Sequence, residues 1–376
     1  MAAKLYRAIG FMTGTSMDGL DGAILETDGE SLIRPRACLS LPFDDGVRGH
    51  ILAAVKAARA WGFEGDEPAE AFALAEDALT ELHAEATAQL LEMEGLTEAN
   101  IDVIGFHGQT VLHRAPSARA AGRTRQLGRG AALARLTGIN VVNDFRAADV
   151  AAGGQGAPFA PLYHAALAKR DGLERPLGVV NLGGVGNITL IDADGGILAF
   201  DTGPANGPID DWVGGEGDRL FDEGGALAQA GNLDEARLQG LLNHPYFETQ
   251  PPKSLDRQDF TSAMAEGLSI EDGAALLTEF AAASVVRGLE WAAERPRRLI
   301  VTGGGRNNPV LMDALRRRAG VPVDPVEAVG WRGDVLEAEL FAWLAVRSLR
   351  GWPLSVPATT GVQEPMTGGV LSRAAV

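Results

Sequence analysis

Three glycine-rich stretches stand out in this 376-residue chain as groups that could do chemistry. They are Gly14-Thr15-Ser16-Met17-Asp18-Gly19, Asn181-Leu182-Gly183-Gly184-Val185-Gly186-Asn187 and Gly303-Gly304-Gly305, and each follows a short apolar run that reads as a strand. Glycine lets the backbone approach a phosphate closely and leaves its amides free to donate to oxygen. None of the three is a Walker loop, and none is G-x-G-x-x-G ahead of a helix. Any one alone reads better as a tight turn than as a phosphate cradle. Three together, each after a strand, point to a nucleotide. The first two suit a polyphosphate clasped from two sides. The third runs into Arg306-Asn307-Asn308-Pro309 and a helix, and suits the nucleoside end.

The carboxylates come next. Asp201 ends a strand in Phe200-Asp201-Thr202-Gly203-Pro204-Ala205-Asn206, where it is either a general base beside a hydroxyl or water, or a cap on the following turn. Asp18 and Asp21 flank the first glycine turn and could orient Mg²⁺-bound waters or serve as ordinary turn acids. Arg146, in Asn143-Asp144-Phe145-Arg146, either forks onto a substrate carboxylate or pairs with Asp144 or Asp149. His107 and His113 are six apart and off any predicted helix, which speaks against a metal pair; one suits a sugar hydroxyl, and otherwise both are structural. Glu337 lies in an apolar helical run and needs a partner if it faces inward, which periodicity does not decide. Cys38 reads as inert, and His50, His83, His164 and His244 carry no signal.

These groups need strands to aim them. Ala8–Met12, Gly22–Leu25, Ile101–Phe106 and Leu136–Asn143 read as strands of a first half, with an amphipathic helix carrying Phe72, Ala75, Leu79, Leu82, Ala86 and Leu90. Leu177–Val180, Ile188–Ile191, Ile197–Phe200 and Leu299–Thr302 read as strands of a second, with helices over Ala275–Ala293 and about Asp334–Leu349. Both halves open as strand, glycine turn, strand, polar turn, an echo that predicts two similar α/β lobes. The expected boundaries are 1–172, 173–350 and a tail, 351–376, packing back across the lobes. The formal charge of -17 argues against a nucleic-acid partner. No apolar run approaches the ~20 residues of a membrane-spanning helix, and no signal peptide is evident, so a cytoplasmic protein is expected. Glycine accounts for 48 residues, nearly twice its ordinary ~7% share, and the turns use only part of them.

In order along the chain, Gly14–Asp21, His107-Gly108-Gln109-Thr110, Asp144-Phe145-Arg146, Gly153–Pro158, Asn181–Asn187, Asp201-Thr202-Gly203-Pro204 and Gly303–Gly305 resemble the anhydro-N-acetylmuramic acid kinases of the actin/Hsp70/sugar-kinase superfamily. The resemblance covers the chain from about Ile9 to the tail. It implies a two-lobed, ribonuclease H-like ATPase fold with an interlobe cleft. It further implies ATP- and Mg²⁺-dependent conversion of 1,6-anhydro-N-acetylmuramic acid to N-acetylmuramic acid 6-phosphate in peptidoglycan recycling, and a homodimer. ATP would be bound by Gly14, Thr15, Ser16, Met17, Asp18, Gly19, Leu20 and Asp21, with Gly183, Gly184, Asn187, Gly303, Gly304 and Gly305. Asp201 would be the base. Ser16, Asp18, His107, Arg146 and Glu337 would meet the sugar, and Mg²⁺ would be held through water near Asp18 or Asp21 without direct protein ligands. Two departures stand out: Ala205 where the motif usually has glycine, and Arg306-Asn307 after Gly305. A kinase for another anhydrosugar such as levoglucosan is the alternative, and a nucleotide-gated binding module of the Hsp70 type lies further off.

Overall fold

In the computed structural model, residues 4–14, 17–117, 120–215, 219–255 and 259–374 are described. The chain divides into two compact units, Met1–Arg170 with Asp334–Val376, and Asp171–Gly333.

The first unit opens with an antiparallel meander of β1 (Tyr6–Thr13), β2 (Gly19–Thr27) and β3 (Ile33–Pro42). Helices Asp45–Trp61 and Ala69–Glu94 follow. β4 (Val103–Phe106) then joins β1 in parallel. β5 (Gln109–Arg114) and β6 (Arg123–Leu127) form a separate hairpin, and β7 (Val141–Asn143) returns to lie parallel to β4. The second unit repeats the scheme. β8 (Leu177–Leu182), β9 (Val185–Ile191) and β10 (Ile197–Pro204) form an antiparallel meander, and β11 (Leu299–Thr302) and β12 (Val323–Pro325) add in parallel on the far side of β8. β13 (Val370–Ser372) then pairs with β7 at the edge of the first sheet. The orders β3-β2-β1-β4-β7 and β10-β9-β8-β11-β12 are therefore one topology built twice.

Composition explains the layering. β4 and β11 are buried at every residue, as strands covered on both faces must be. In the first unit Ile9, Phe11 and Phe106 pack with Ala86 and Leu90 of the Ala69–Glu94 helix. In the second, Val180, Phe200 and Leu299 pack with Val285 of helix Ile270–Gly288 and Leu315 of helix Pro309–Ala319. Ser269 and Asn308 cap the starts of those two helices by accepting from backbone amides, as small polar residues do.

Three expectations need correction. The helix expected to close the second lobe, Leu336–Leu349, belongs to the first unit. Gly10 of β1 and Gly105 of β4 are register partners, and the helix backbone lies directly on them. A Cβ on Gly10 would come 1.9 Å from the Ala338 carbonyl oxygen, and one on Gly105 2.1 Å from that of Phe341. Part of the glycine excess thus serves packing. The tail also stays within the first unit, where β13 extends the sheet and Ser355 and Thr360 bond to Asp149. Finally, Leu136 and Thr137 end a helix, Gly130–Thr137, that Gly138 terminates in the left-handed conformation, so the predicted strand shortens to Val141–Asn143. Among the described residues, no helix is long and apolar enough to cross a membrane.

Candidate functional site

The first glycine turn joins β1 to β2. The Gly14 carbonyl accepts from the Met17 amide at 3.2 Å and from Gln109 Nε2 at 3.3 Å, and Met17 takes a left-handed φ of 53°. Thr15 and Ser16, expected at the phosphates and the sugar, lie outside the described residues. Gly19, Leu20 and Asp21 already belong to β2. Leu20 is fully buried in the core, so its side chain is unavailable to a nucleotide. Gly19 is required by β3, since a Cβ would lie 2.6 Å from the Leu41 carbonyl oxygen. Asp21 accepts from Ser40 Oγ at 2.5 Å. Burial pushes its carboxyl above the ordinary value against that hydrogen bond, and Asp18 and Asp334 push it further.

Arg146 follows β7, at the start of a short helix, Ala147–Ala151. Its Nε and Nη2 both donate to His107 Nε2, at 3.2 and 3.1 Å, and Nη1 donates to the Gly156 carbonyl at 2.7 Å. The guanidinium also lies 5.5 Å from the Phe159 ring centre. An imidazole nitrogen that accepts two donors carries no proton, so His107 is neutral with its proton on Nδ1. Burial, then Arg146, hold its pKa well below the ordinary value. Asp149, an alternative partner for Arg146, is otherwise engaged: its carboxylate accepts from the Gly156 amide at 2.8 Å, from Thr360 at 2.6 Å and from Ser355. His113 is structural, bridging Thr124 and the Gln155 carbonyl.

Glu337 sits in the first turn of helix Leu336–Leu349, with an exposed side chain. Crowding by surrounding protein raises its pKa despite that exposure; Arg146 opposes the rise and Asp21 adds to it. Asp18, Asp21, His107, Arg146 and Glu337 therefore form one electrostatically connected set. The glutamate that faces inward is Glu339, which is 2% exposed and accepts from Tyr163 Oη at 2.8 Å. Sequence reasoning passed over it because apolar residues surround that helix on every side.

The second unit brings together the other two glycine turns. Gly183-Gly184 is the β8–β9 turn, and its carbonyls accept from the amides of Ala205, Asn206 and Gly207. Gly303 follows β11 with φ 78°, and a Cβ there would meet Asn181 Oδ1 at 2.3 Å and the Leu182 backbone at 2.7 Å. Asn206 lies between the turns: its Nδ2 donates to the Leu182 carbonyl, and it is the nearest neighbour of an added Cβ at Gly304, at 3.6 Å. Arg306 holds the third turn through the Gly303 carbonyl and pairs with Glu327 at 2.9 Å. Ala205 has φ −130° and ψ −116° and is 1% exposed at the start of helix Asn206–Gly214.

Asp201 stands opposite Asn187, one residue before a bulge between Asp201 and Gly203, the kind of irregularity that re-aims a side chain. Its Oδ2 accepts from the Leu255 amide at 2.8 Å. The Lys253 carbonyl and Tyr246 hydroxyl hold its backbone. The sequence offered no signal for these supports.

The residues suit a nucleotide and its cation. Around Gly183 and Gly304 an added Cβ would meet no atom within 3.5 Å, leaving their backbone approachable. Burial is the main cause of the raised Asp21 pKa, and Asp18 and Asp334 add negative charge beside it that a divalent cation would offset. Among the described residues, no three His, Cys, Asp or Glu side chains gather as a metal cage.

A sheet of order 3-2-1-4-5 built twice, with a glycine turn at the first hairpin of each copy, is the α/β topology of the actin-like ATPase fold. Anhydro-N-acetylmuramic acid kinase (AnmK) is the family whose pattern matches residues 6–374. The anhydro-N-acetylmuramic acid kinase of Brucella anthropi is 53% identical over 97% of this chain and 98% of its own, and that of Mesorhizobium japonicum 51% over the same shares. This chain belongs to that family. Among solved structures, the Acidaminococcus fermentans (R)-2-hydroxyglutaryl-CoA dehydratase component A aligns with 91% of this chain and 99% of its own, at 13% identity and a TM-score of 0.46.

Proposed function

We propose that Asp201 is the general base with which this chain opens 1,6-anhydro-N-acetylmuramic acid while ATP phosphorylates the oxygen released. Family membership makes the chain an ATP-dependent sugar phosphotransferase, an anhydro-N-acetylmuramic acid kinase whose product, N-acetylmuramic acid 6-phosphate, belongs to cell-wall recycling. Asp201 takes a proton from a water that attacks the anomeric carbon, and the C1–O6 bond breaks. O6 then attacks the γ-phosphorus, and ADP departs with the electron pair of the broken phosphoanhydride bond. Such a transfer depends mainly on positioning and on balancing charge.

The observation that carries the assignment is the setting of Asp201. Its backbone and one carboxylate oxygen are fixed at a bulge, in the unit where two glycine turns converge on Asn206. Gly183, Gly184 and Gly303–Gly305 present amides to the nucleotide, and Asn187 flanks the base across the β9–β10 ladder. Gly14, Met17 and Asp18 add the β1–β2 turn. Mg²⁺, when bound, supplies neutralisation of phosphate charge, and Asp18 and Asp21 would hold its waters. Arg146, oriented by His107, meets the lactyl carboxylate, and Glu337 faces the sugar beside it. A cytoplasmic homodimer completes the reading, with family resemblance as its support.

The test is turnover of Asp201→Asn with ATP·Mg²⁺ and the anhydrosugar. The variant should fold and bind ATP yet lose several orders of magnitude in kcat, whereas near-normal turnover removes Asp201 as the base.

A further inference from the structure

Asp201 lies in a closed ring of hydrogen bonds. The Tyr246 hydroxyl donates to the Asp201 carbonyl at 2.5 Å, the Asp201 amide donates to the Lys253 carbonyl at 3.0 Å, and the Lys253 ammonium donates to the Tyr246 carbonyl at 2.8 Å. Two residues past Lys253, the Leu255 amide reaches Asp201 Oδ2. Lys253 is only 7% exposed, and its Nζ lies 4.4, 5.7 and 5.9 Å from the ring centres of Tyr246, Trp291 and Phe200.

Burying an ammonium is costly, and cation–π contacts with one carbonyl offset that cost only in part. Burial pulls the Lys253 pKa down to about 8; Glu248 opposes the fall and Arg287 adds to it. Those two pair with each other at 2.6 Å. An apolar side chain could fill the same aromatic cage with less penalty. What lysine adds is a donor that ties the Pro251–Leu255 segment to Tyr246.

We propose that Lys253 is a positioning residue for the catalytic carboxylate: its ammonium fixes the segment that grips Asp201 at both its backbone amide and Oδ2. This rests on Asp201 being the base. A tethering role and a purely structural role differ in sign. Lys253→Met fills the cage without the donor, so stability should hold or rise while activity falls. Loss of the Leu255 donation also makes the Asp201 carboxylate easier to protonate, which moves the acid limb of the kcat–pH profile upward.

The experiment measures Tm, kcat, both KM values and the kcat–pH profile for wild type, Lys253→Met and Asp201→Asn. The methionine variant should keep its Tm and both KM values within twofold, lose about 10- to 100-fold in kcat, and show a raised acid limb. Wild-type kcat with an unmoved limb overturns the proposal, as does a fall in Tm that accounts for the lost activity. If Asp201→Asn is inactive while Lys253→Met is normal, the tether alone fails; if Asp201→Asn turns over normally, the reading of the base fails. Should the methionine variant not fold, Lys253→Arg and Lys253→Gln carry the test. Arginine at least tenfold faster than glutamine supports the charged tether, and equal rates overturn it.

Discussion

Arg146 directs two of its donors, Nε and Nη2, at a single acceptor, Nε2 of His107. The imidazole accepts them only while neutral, and burial keeps it so across the physiological range. Under the proposed function, His107 would act on the sugar through the guanidinium it orients. His107→Phe preserves the ring packed 4.6 Å from Phe341 but removes the acceptor. Its KM for the anhydrosugar should rise about tenfold while that for ATP stays within twofold. Equal rises in both would place His107 in general folding instead.

Arg146 itself should decide selectivity. A guanidinium can fork onto the muramyl lactyl carboxylate, and levoglucosan has no such group. Arg146→Ala should weaken binding of the muramyl substrate by about 10- to 100-fold and collapse its preference over levoglucosan. Arg146→Lys should not restore it, because a point charge replaces the fork. The ratio of the two binding constants in wild type and variant is the measurement, and an unchanged ratio rules out the carboxylate clamp.

Glycine supports a different prediction. Gly10 and Gly105 face helix Leu336–Leu349 across backbone-to-backbone contacts, where no side chain can yield. Gly10→Ala or Gly105→Ala should cost about 3 kcal/mol or prevent folding altogether. Gly49, exposed in helix Asp45–Trp61 with no atom within 4 Å of an added Cβ, is the control. Gly49→Ala should be neutral or stabilise by up to about 1 kcal/mol. Thermal melts of the three variants check this, and equal effects would disprove the packing argument.

The sequence made the glycine turns, Asp201 and the repeated strand-turn-strand openings legible because glycine and turn acids mark local backbone geometry. Partition of the chain was a different matter. Helix Leu336–Leu349 is apolar nearly all round, so periodicity supplied no phase. Neither its placement on Gly10 and Gly105 nor the inward turn of Glu339 in place of Glu337 could be read. β3 and the β5–β6 hairpin were missed, since Arg34-Pro35-Arg36 is exposed and Arg123-Thr124-Arg125 is polar and exposed to half-buried. The ring joining Tyr246 and Lys253 to Asp201 is tertiary, with partners about fifty residues away.

Two histidines that carried no sequence signal predict how stability responds to acid. His83 is wholly buried between Phe11 and Phe106, with Nδ1 2.6 Å from the Leu79 carbonyl oxygen, and His164 is 2% exposed. Burial drops their pKa values to about 4 and about 3, from 6.5. Between those limits the unfolded chain binds protons that the folded chain refuses, so stability falls as pH drops. It is full above about 6.5, declines through pH 5, and stops declining on their account only below about 3. His83 alone removes on the order of 3 kcal/mol over its window. Urea midpoints at pH 7, 5.5 and 4.5 should therefore fall steeply in wild type and less steeply in His83→Leu combined with His164→Leu. Identical slopes would mean that carboxylates, not these rings, set the acid limit.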